Sequence, residues 1–186
     1  IHGGETITLT IAEEANTQRK LVFPLSVLYE DAHLAIIHKP AGILVSGNGF
    51  KTITHALPQN LQQSPLADAT KPQPVHRLDY ATTGALLIGK TSSTIRVLNE
   101  LFENKTISKT YYAVTIGEMQ TQGIITDEVD GKESKSSYNV FATLDSERFV
   151  KLNLVQLNPH TGRRHQLRIH LASIGNPILG DKTYGT

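Results

Sequence analysis

Short runs of alternating apolar and β-branched residues, separated by tight polar turns, constrain the fold of this chain more than any other feature of its sequence. Leu25-Ser26-Val27-Leu28-Tyr29 and Leu34-Ala35-Ile36-Ile37 flank Glu30-Asp31-Ala32-His33 at hairpin spacing. Lys39-Pro40-Ala41-Gly42 then bends the chain through proline and glycine. Residues 109–116 are aromatic and β-branched and are closed by Gly117, as a strand is. Residues 137–144 and 149–157 read as a second hairpin across Asp145-Ser146-Glu147. In its second arm Val150, Leu152 and Leu154 share one face, and Lys151 and Asn153 the other. Helical periodicity is clear in two places. Residues 92–104 carry Ile95, Leu98, Leu101 and Phe102 behind a Ser92-Ser93 start. Residues 163–173, capped by Thr161-Gly162, have the stripe Leu167, Leu171 and Ile174. A shorter helix is expected around residues 52–57, and residues 58–74 read as mostly irregular. The predicted class is α+β, with a largely antiparallel mixed sheet flanked by helices and loops, and not an alternating βαβ array.

Composition removes several kinds of chemistry. The 186 residues include no cysteine, which excludes disulfides, thiolate catalysis and zinc–thiolate sites together. No apolar run approaches the roughly 18 residues of a membrane helix. No signal-peptide pattern opens the chain, and a cytoplasmic protein is expected. The net charge of +1 gives no global polyanion signature, so a nucleic-acid surface has to come from clustered cations. No phosphate-loop pattern and no nucleophilic serine elbow are present.

The chemistry-bearing residues fall in three places. His76-Arg77-Leu78-Asp79 precedes Thr82-Thr83-Gly84 and the apolar run Ala85-Leu86-Leu87-Ile88. A carboxylate at the edge of a buried strand is costly to ionise unless charge or hydrogen bonds compensate it, so Asp79 reads either as a site acid or as a structural ion pair. Tyr111 lies in a strand, where a packing role is the plain alternative. Arg163, Arg164 and Arg168 are expected in the first two turns of the last helix, with Arg164 and Arg168 on one face. Cations there oppose the helix dipole. Together with His160, His165 and His170 they make a donor surface suited to phosphates. Histidines five residues apart on a helix turn by about 500°, so they point apart, and no metal site is expected.

These blocks, taken together, resemble the HRLD-signature family of RNA pseudouridine synthases that act on ribosomal and transfer RNA. Lys39-Pro40-Ala41-Gly42 resembles the family's KPAG turn, and residues 76–84 its HRLDxxTSG loop. Lys109-Thr110-Tyr111 through Gly117 resembles KxYxAxxxG. Residues 161–170, Gly175-Asn176-Pro177-Ile178 and Gly180-Asp181-Lys182-Thr183-Tyr184-Gly185 resemble the closing TGRxHQ(I/L)RxH…GxPIxGDxxYG block. The departures are Thr83 where the family usually has serine and His38 where it usually has asparagine. The resemblance covers residues 38–185. It implies a pseudouridine-synthase-like catalytic domain over residues 21–186. Residues 1–20 are then expected to be the remnant of an upstream RNA-binding domain plus a linker, with further strands beyond Thr186 in relatives.

The resemblance also implies roles. Asp79 is the nucleophile, Tyr111 packs on the base, and Arg168 pairs with Asp79 and holds it ionised. Arg77 fills the space of a flipped-out nucleotide, and His76, Arg163, Arg164 and His165 face RNA. No cofactor and no metal are needed. The expected partner is structured RNA, ribosomal ahead of transfer RNA, with a monomeric protein and no membrane. Two other readings stand beside this one. A non-catalytic RNA-binding module would keep the cations and discard the chemistry. A glycosidase would need a second acid, for which Asp68 and Asp181 lack a matching context.

Overall fold

The computed structural model of the protein describes residues 21–185. The domain remnant and linker expected within residues 1–20 lie outside the described residues. The chain forms two compact units, one ending at Thr91 and the other beginning at Ser92.

The first unit contains β1 (Ser26–Glu30), β2 (Leu34–Lys39), α1 (Ile53–Asn60), β3 (Ala69–Pro74) and β4 (Gly84–Thr91). Its sheet has the order β1-β2-β4-β3, and every pairing is antiparallel. The first hairpin forms as its spacing predicts. Asp31 makes the turn by accepting the N–H groups of His33 and Leu34 at 2.7 and 2.8 Å, which holds its carboxyl below the usual carboxylate range. Alternation along β2 sends Ala35, Ile37 and Lys39 inward, opposite Ile88, Leu86 and Gly84 of β4. Ile53, Ala56 and Leu57 of α1 are fully buried at i, i+3 and i+4. Thr52 caps α1 by accepting His55 N–H at 3.4 Å.

Residues 58–74 are less irregular than the sequence suggests. The helix α1 runs through Pro58 to Asn60, and β3 occupies Ala69–Pro74. Its two prolines donate no ladder bonds, but β3 pairs only with β4 at the sheet edge, and its register shifts between Ala69 and Gln73.

The second unit contains α2 (Ser92–Glu103), β5 (Tyr111–Ile116), β6 (Gln122–Ile125), β7 (Ser136–Ser146), β8 (Val150–Pro159) and α3 (Gln166–Ser173). The sheet order is β5-β8-β7-β6, again antiparallel throughout. Its core is Val155, Leu157 and Leu171, with Tyr111, Tyr138, Val140, Leu167 and Ile178 packed against them. The sequence pattern does not reveal β6. There, Gly123 lies directly under the Tyr138 ring, where a Cβ would come within 2.6 Å of the phenol oxygen.

One expectation for this unit is filled in and another is corrected. The buried face of β8 carries Asn153, Val155 and Leu157, while Val150 and Leu154 are exposed. Asn153 can be buried because it donates to the carbonyl of Gly117 at 2.9 Å and accepts from Thr143 Oγ1 at 2.8 Å. Secondly, α3 begins at Gln166 and not at Arg163, so Arg163 and Arg164 lie in the turn before it and do not oppose its dipole. The buried Gln166 side chain fixes that turn. Its oxygen accepts from Thr161 Oγ1 (2.7 Å) and Arg163 N–H (3.0 Å), and its nitrogen donates to Lys135 O (3.0 Å) and Ser136 Oγ (2.8 Å). Thr161 therefore braces Gln166, and the cap position belongs to His165, which has a left-handed backbone (φ 54°).

Candidate active site

Each unit carries part of the predicted residue set. In the first, the segment between β3 and β4 holds His76, Arg77 and Asp79. Leu78 is buried and anchors it, Arg77 is exposed, and His76 and Asp79 are half-buried. His76 Nε2 accepts the N–H of Leu87 at 3.0 Å, which ties the start of the segment to β4. The Asp79 carbonyl closes a turn by accepting Thr82 N–H at 3.1 Å.

The KPAG turn holds this segment from the other side. Gly42 donates its N–H to Tyr80 O at 2.8 Å from a left-handed conformation (φ +81°) that glycine adopts without strain. Lys39, on the inward face of β2, is fully buried. Its Nζ donates to Thr82 O at 2.8 Å, Pro40 O at 2.9 Å and Tyr80 O at 3.4 Å. Burial pushes the Lys39 ammonium below the usual lysine value, and the charge of Asp79 opposes that shift. The two motifs, forty residues apart in sequence, thus form one braced loop around Asp79. A pocket of about 260 Å³ adjoins it, lined by Val45, Ser46, Pro74, Val75, His76 and Arg77.

In the second unit, Tyr111 sits on β5 opposite Leu157, half-buried against the core. Arg168, in α3, makes a fork-on-fork pair with Asp181: Nε to Oδ2 at 2.7 Å and Nη2 to Oδ1 at 2.8 Å. The guanidinium lies over the Tyr184 ring, 4.9 Å from its centroid. Chiefly through its bond to Arg168, Asp181 has its carboxyl lowered to about 2.

The remaining predicted residues are dispersed. Arg163 and Arg164 are exposed, and Arg163 donates from Nε and Nη2 to Glu133 O at 3.2 and 3.1 Å. The three histidines do not form one surface. His165 Nδ1 bonds Tyr184 Oη at 3.0 Å, and the exposed His160 bonds Ser137 Oγ at 3.0 Å. His170 is fully buried between Ser134 and Ser136. Sequence reasoning missed Asp181, Gln166 and Lys39 as organisers of these two parts. All three stand inside quoted motif blocks, which was the available signal.

Comparison with known proteins defines the class. A family model for RNA pseudouridylate synthase matches residues 33–173, a span that contains the Asp79 loop, Tyr111 and Arg168. The chain belongs to the RNA pseudouridylate synthase family. Among curated relatives, "Ribosomal large subunit pseudouridine synthase D" of Nitrosomonas europaea is 33% identical, over all of this chain and 57% of the relative. The Escherichia coli protein of the same name is 32% identical over 98% of this chain and 60% of its own length. "Uncharacterized RNA pseudouridine synthase YhcT" of Bacillus subtilis is 34% identical over 87% of this chain and 58% of its own. The chain thus spans rather less than two thirds of the length of these relatives. The solved structure of human RNA Pseudouridylate Synthase Domain Containing 4 superposes with a TM-score of 0.70 at 28% identity, over 86% of this chain and 69% of that one.

Proposed function

We propose that this protein isomerises specific uridines in structured RNA to pseudouridine, with Asp79 as the reacting carboxylate. The supporting observation is the bracing of the Asp79 loop by Lys39 and Gly42, which gives one half-buried acid a fixed backbone. The reaction breaks the bond from uracil N1 to ribose C1′, turns the base, and joins C5 to C1′. The proton on C5 is lost and N1 gains one, so the change is mass-neutral and consumes no oxidant. A carboxylate suits this as a nucleophile or as a counter-charge at the sugar. The uridine has to leave its stack, at a cost of a few kcal/mol, with Arg77 filling the vacated space. Tyr111 packs on the base. By the resemblance Arg168 is the cation that pairs with Asp79 and keeps the carboxylate ionised. The exposed Arg164 contacts phosphates.

Ribosomal RNA ranks ahead of transfer RNA as the substrate, because several relatives are named for the large ribosomal subunit. Mapping pseudouridines in total RNA from cells with and without the gene tests this. A large-subunit position that loses its pseudouridine is expected. An unchanged map, with the gene shown to be expressed, would count against the activity, and loss confined to transfer RNA would move the substrate.

A further inference from the structure

The contacts of Arg168 extend beyond a simple pair. Asp181 holds both Nε and Nη2, with its own side chain 5% exposed against 22% for Arg168. Its Oδ1 also accepts the N–H groups of Thr183 and Tyr184 at 3.0 and 3.3 Å. The Asp181 carbonyl accepts Gly185 N–H at 2.8 Å. One carboxylate therefore organises the turn that delivers Tyr184, and Tyr184 lays its ring against the face of the same guanidinium. The ring is held in turn by His165, through the bond to its hydroxyl and an edge-on contact with centroids 5.7 Å apart. His165 occupies a left-handed conformation (φ 54°), uncommon for a non-glycine residue though more frequent for histidine than for most.

The guanidinium is thus fixed in its plane by Asp181 and on its face by Tyr184. A pair that merely fastened residues 179–185 to α3 would need neither the ring nor the histidine behind it. Nη1 takes no part in the Asp181 fork, and its direction is set once Nε and Nη2 are engaged.

We infer that Asp181 and Tyr184 are positioning residues for catalysis, which act by holding the Arg168 guanidinium in one orientation, and that His165 serves Tyr184 and not the RNA backbone. This rests on the proposed role of Arg168 and deepens it. The aspartate and tyrosine of the closing block touch no substrate. They determine which way the reacting acid's partner points.

The test uses the full chain with an unmodified large-subunit ribosomal RNA transcript, and reads single-turnover rate, RNA affinity and thermal midpoint for each variant. Asp181→Asn is nearly isosteric but sets an amide donor against a guanidinium donor. Its rate is expected to fall at least tenfold, with RNA affinity within twofold of the parent. Tyr184→Leu removes the ring face and should cost fivefold or more in rate alone. Tyr184→Phe keeps the face and should stay within threefold, a rescue that general loosening of the turn would not give. If Asp181→Asn fails to fold at the assay temperature, the two Tyr184 variants decide the matter. Folded Asp181→Asn and Tyr184→Leu proteins with rates within twofold of the parent would overturn the inference, as would losses that appear in RNA affinity instead of rate. Arg168→Ala is the control: if it stays fully active, the role of Arg168 fails and the inference with it, whereas a parent that makes no pseudouridine defeats the proposed function whatever Asp181 does.

Discussion

Lys39 Nζ donates to the carbonyl of Thr82 at 2.8 Å, from a side chain with no exposure to solvent. That bond joins the end of β2 to the loop that carries Asp79. A buried ammonium is retained there because three carbonyls converge on it and Asp79 supplies a compensating charge. Replacement by methionine keeps the aliphatic stem and removes every bond at its tip. Lys39→Met is expected to destabilise the protein by about 3 kcal/mol, since hydrogen bonds to a charged group contribute about 1.5–3 kcal/mol and the carbonyls are left without their donor. Activity should fall with it. Urea unfolding of both proteins checks the first figure, and a single-turnover assay below the unfolding transition checks the second.

Acid stability should report the pair between Asp181 and Arg168. The Asp181 carboxyl is lowered from 3.8 to about 2, first by its bond to Arg168 and then by the N–H groups of Thr183 and Tyr184, against an opposing effect of burial. A carboxylate whose folded pKa is depressed contributes stability that is present above its unfolded value and lost as pH falls through the folded one. The contribution is about 2 kcal/mol, present above about pH 4 and disappearing towards pH 2. Denaturant midpoints measured from pH 5 to pH 2 should show this loss in the parent protein. Asp181→Asn should lower the midpoint at pH 5 and show a correspondingly shallower acid limb.

Arg164 and Arg168 should differ in kind. Arg164 is exposed in the turn before α3, and Arg168 is clamped by Asp181 and Tyr184. Arg164→Ala is expected to leave the thermal midpoint within about 2 °C. It should also reduce the slope of log affinity against log salt by about 0.7–0.9, the signature of one lost phosphate contact. Arg168→Ala should lower the midpoint clearly and leave that slope nearly unchanged. Salt titrations and melts on the two variants separate these outcomes.

The hairpins were legible because their signals are local. Period-two alternation and the Asp31 turn lie within a few residues of one another, and β1, β2, β7 and β8 form where the pattern puts them. The start of α3 was not legible. The stripe Leu167, Leu171 and Ile174 gives the period, but the first turn is fixed by Gln166 bonding Ser136, thirty residues earlier. Asn153 hides the buried face of β8 for the same reason: its partner, the carbonyl of Gly117, is distant in sequence. The edge strand β3 was obscured by its prolines. Asp79, Tyr111 and Arg168 could be singled out from their motif blocks. The brace of Lys39 and the fork of Asp181 could not, because hydrogen-bond partners across turns leave no periodic trace.

The most direct measurement of the central claim is pseudouridine formation by Asp79→Asn beside the parent chain, on the same unmodified large-subunit ribosomal RNA transcript, with an RNA-binding isotherm for each. The substitution removes the carboxylate's charge and nucleophilicity and leaves the cationic surface intact. The expected result is turnover by the parent, none detectable by the variant, and affinities within about threefold of each other. A folded Asp79→Asn protein that still forms pseudouridine at a rate near the parent's would contradict the account.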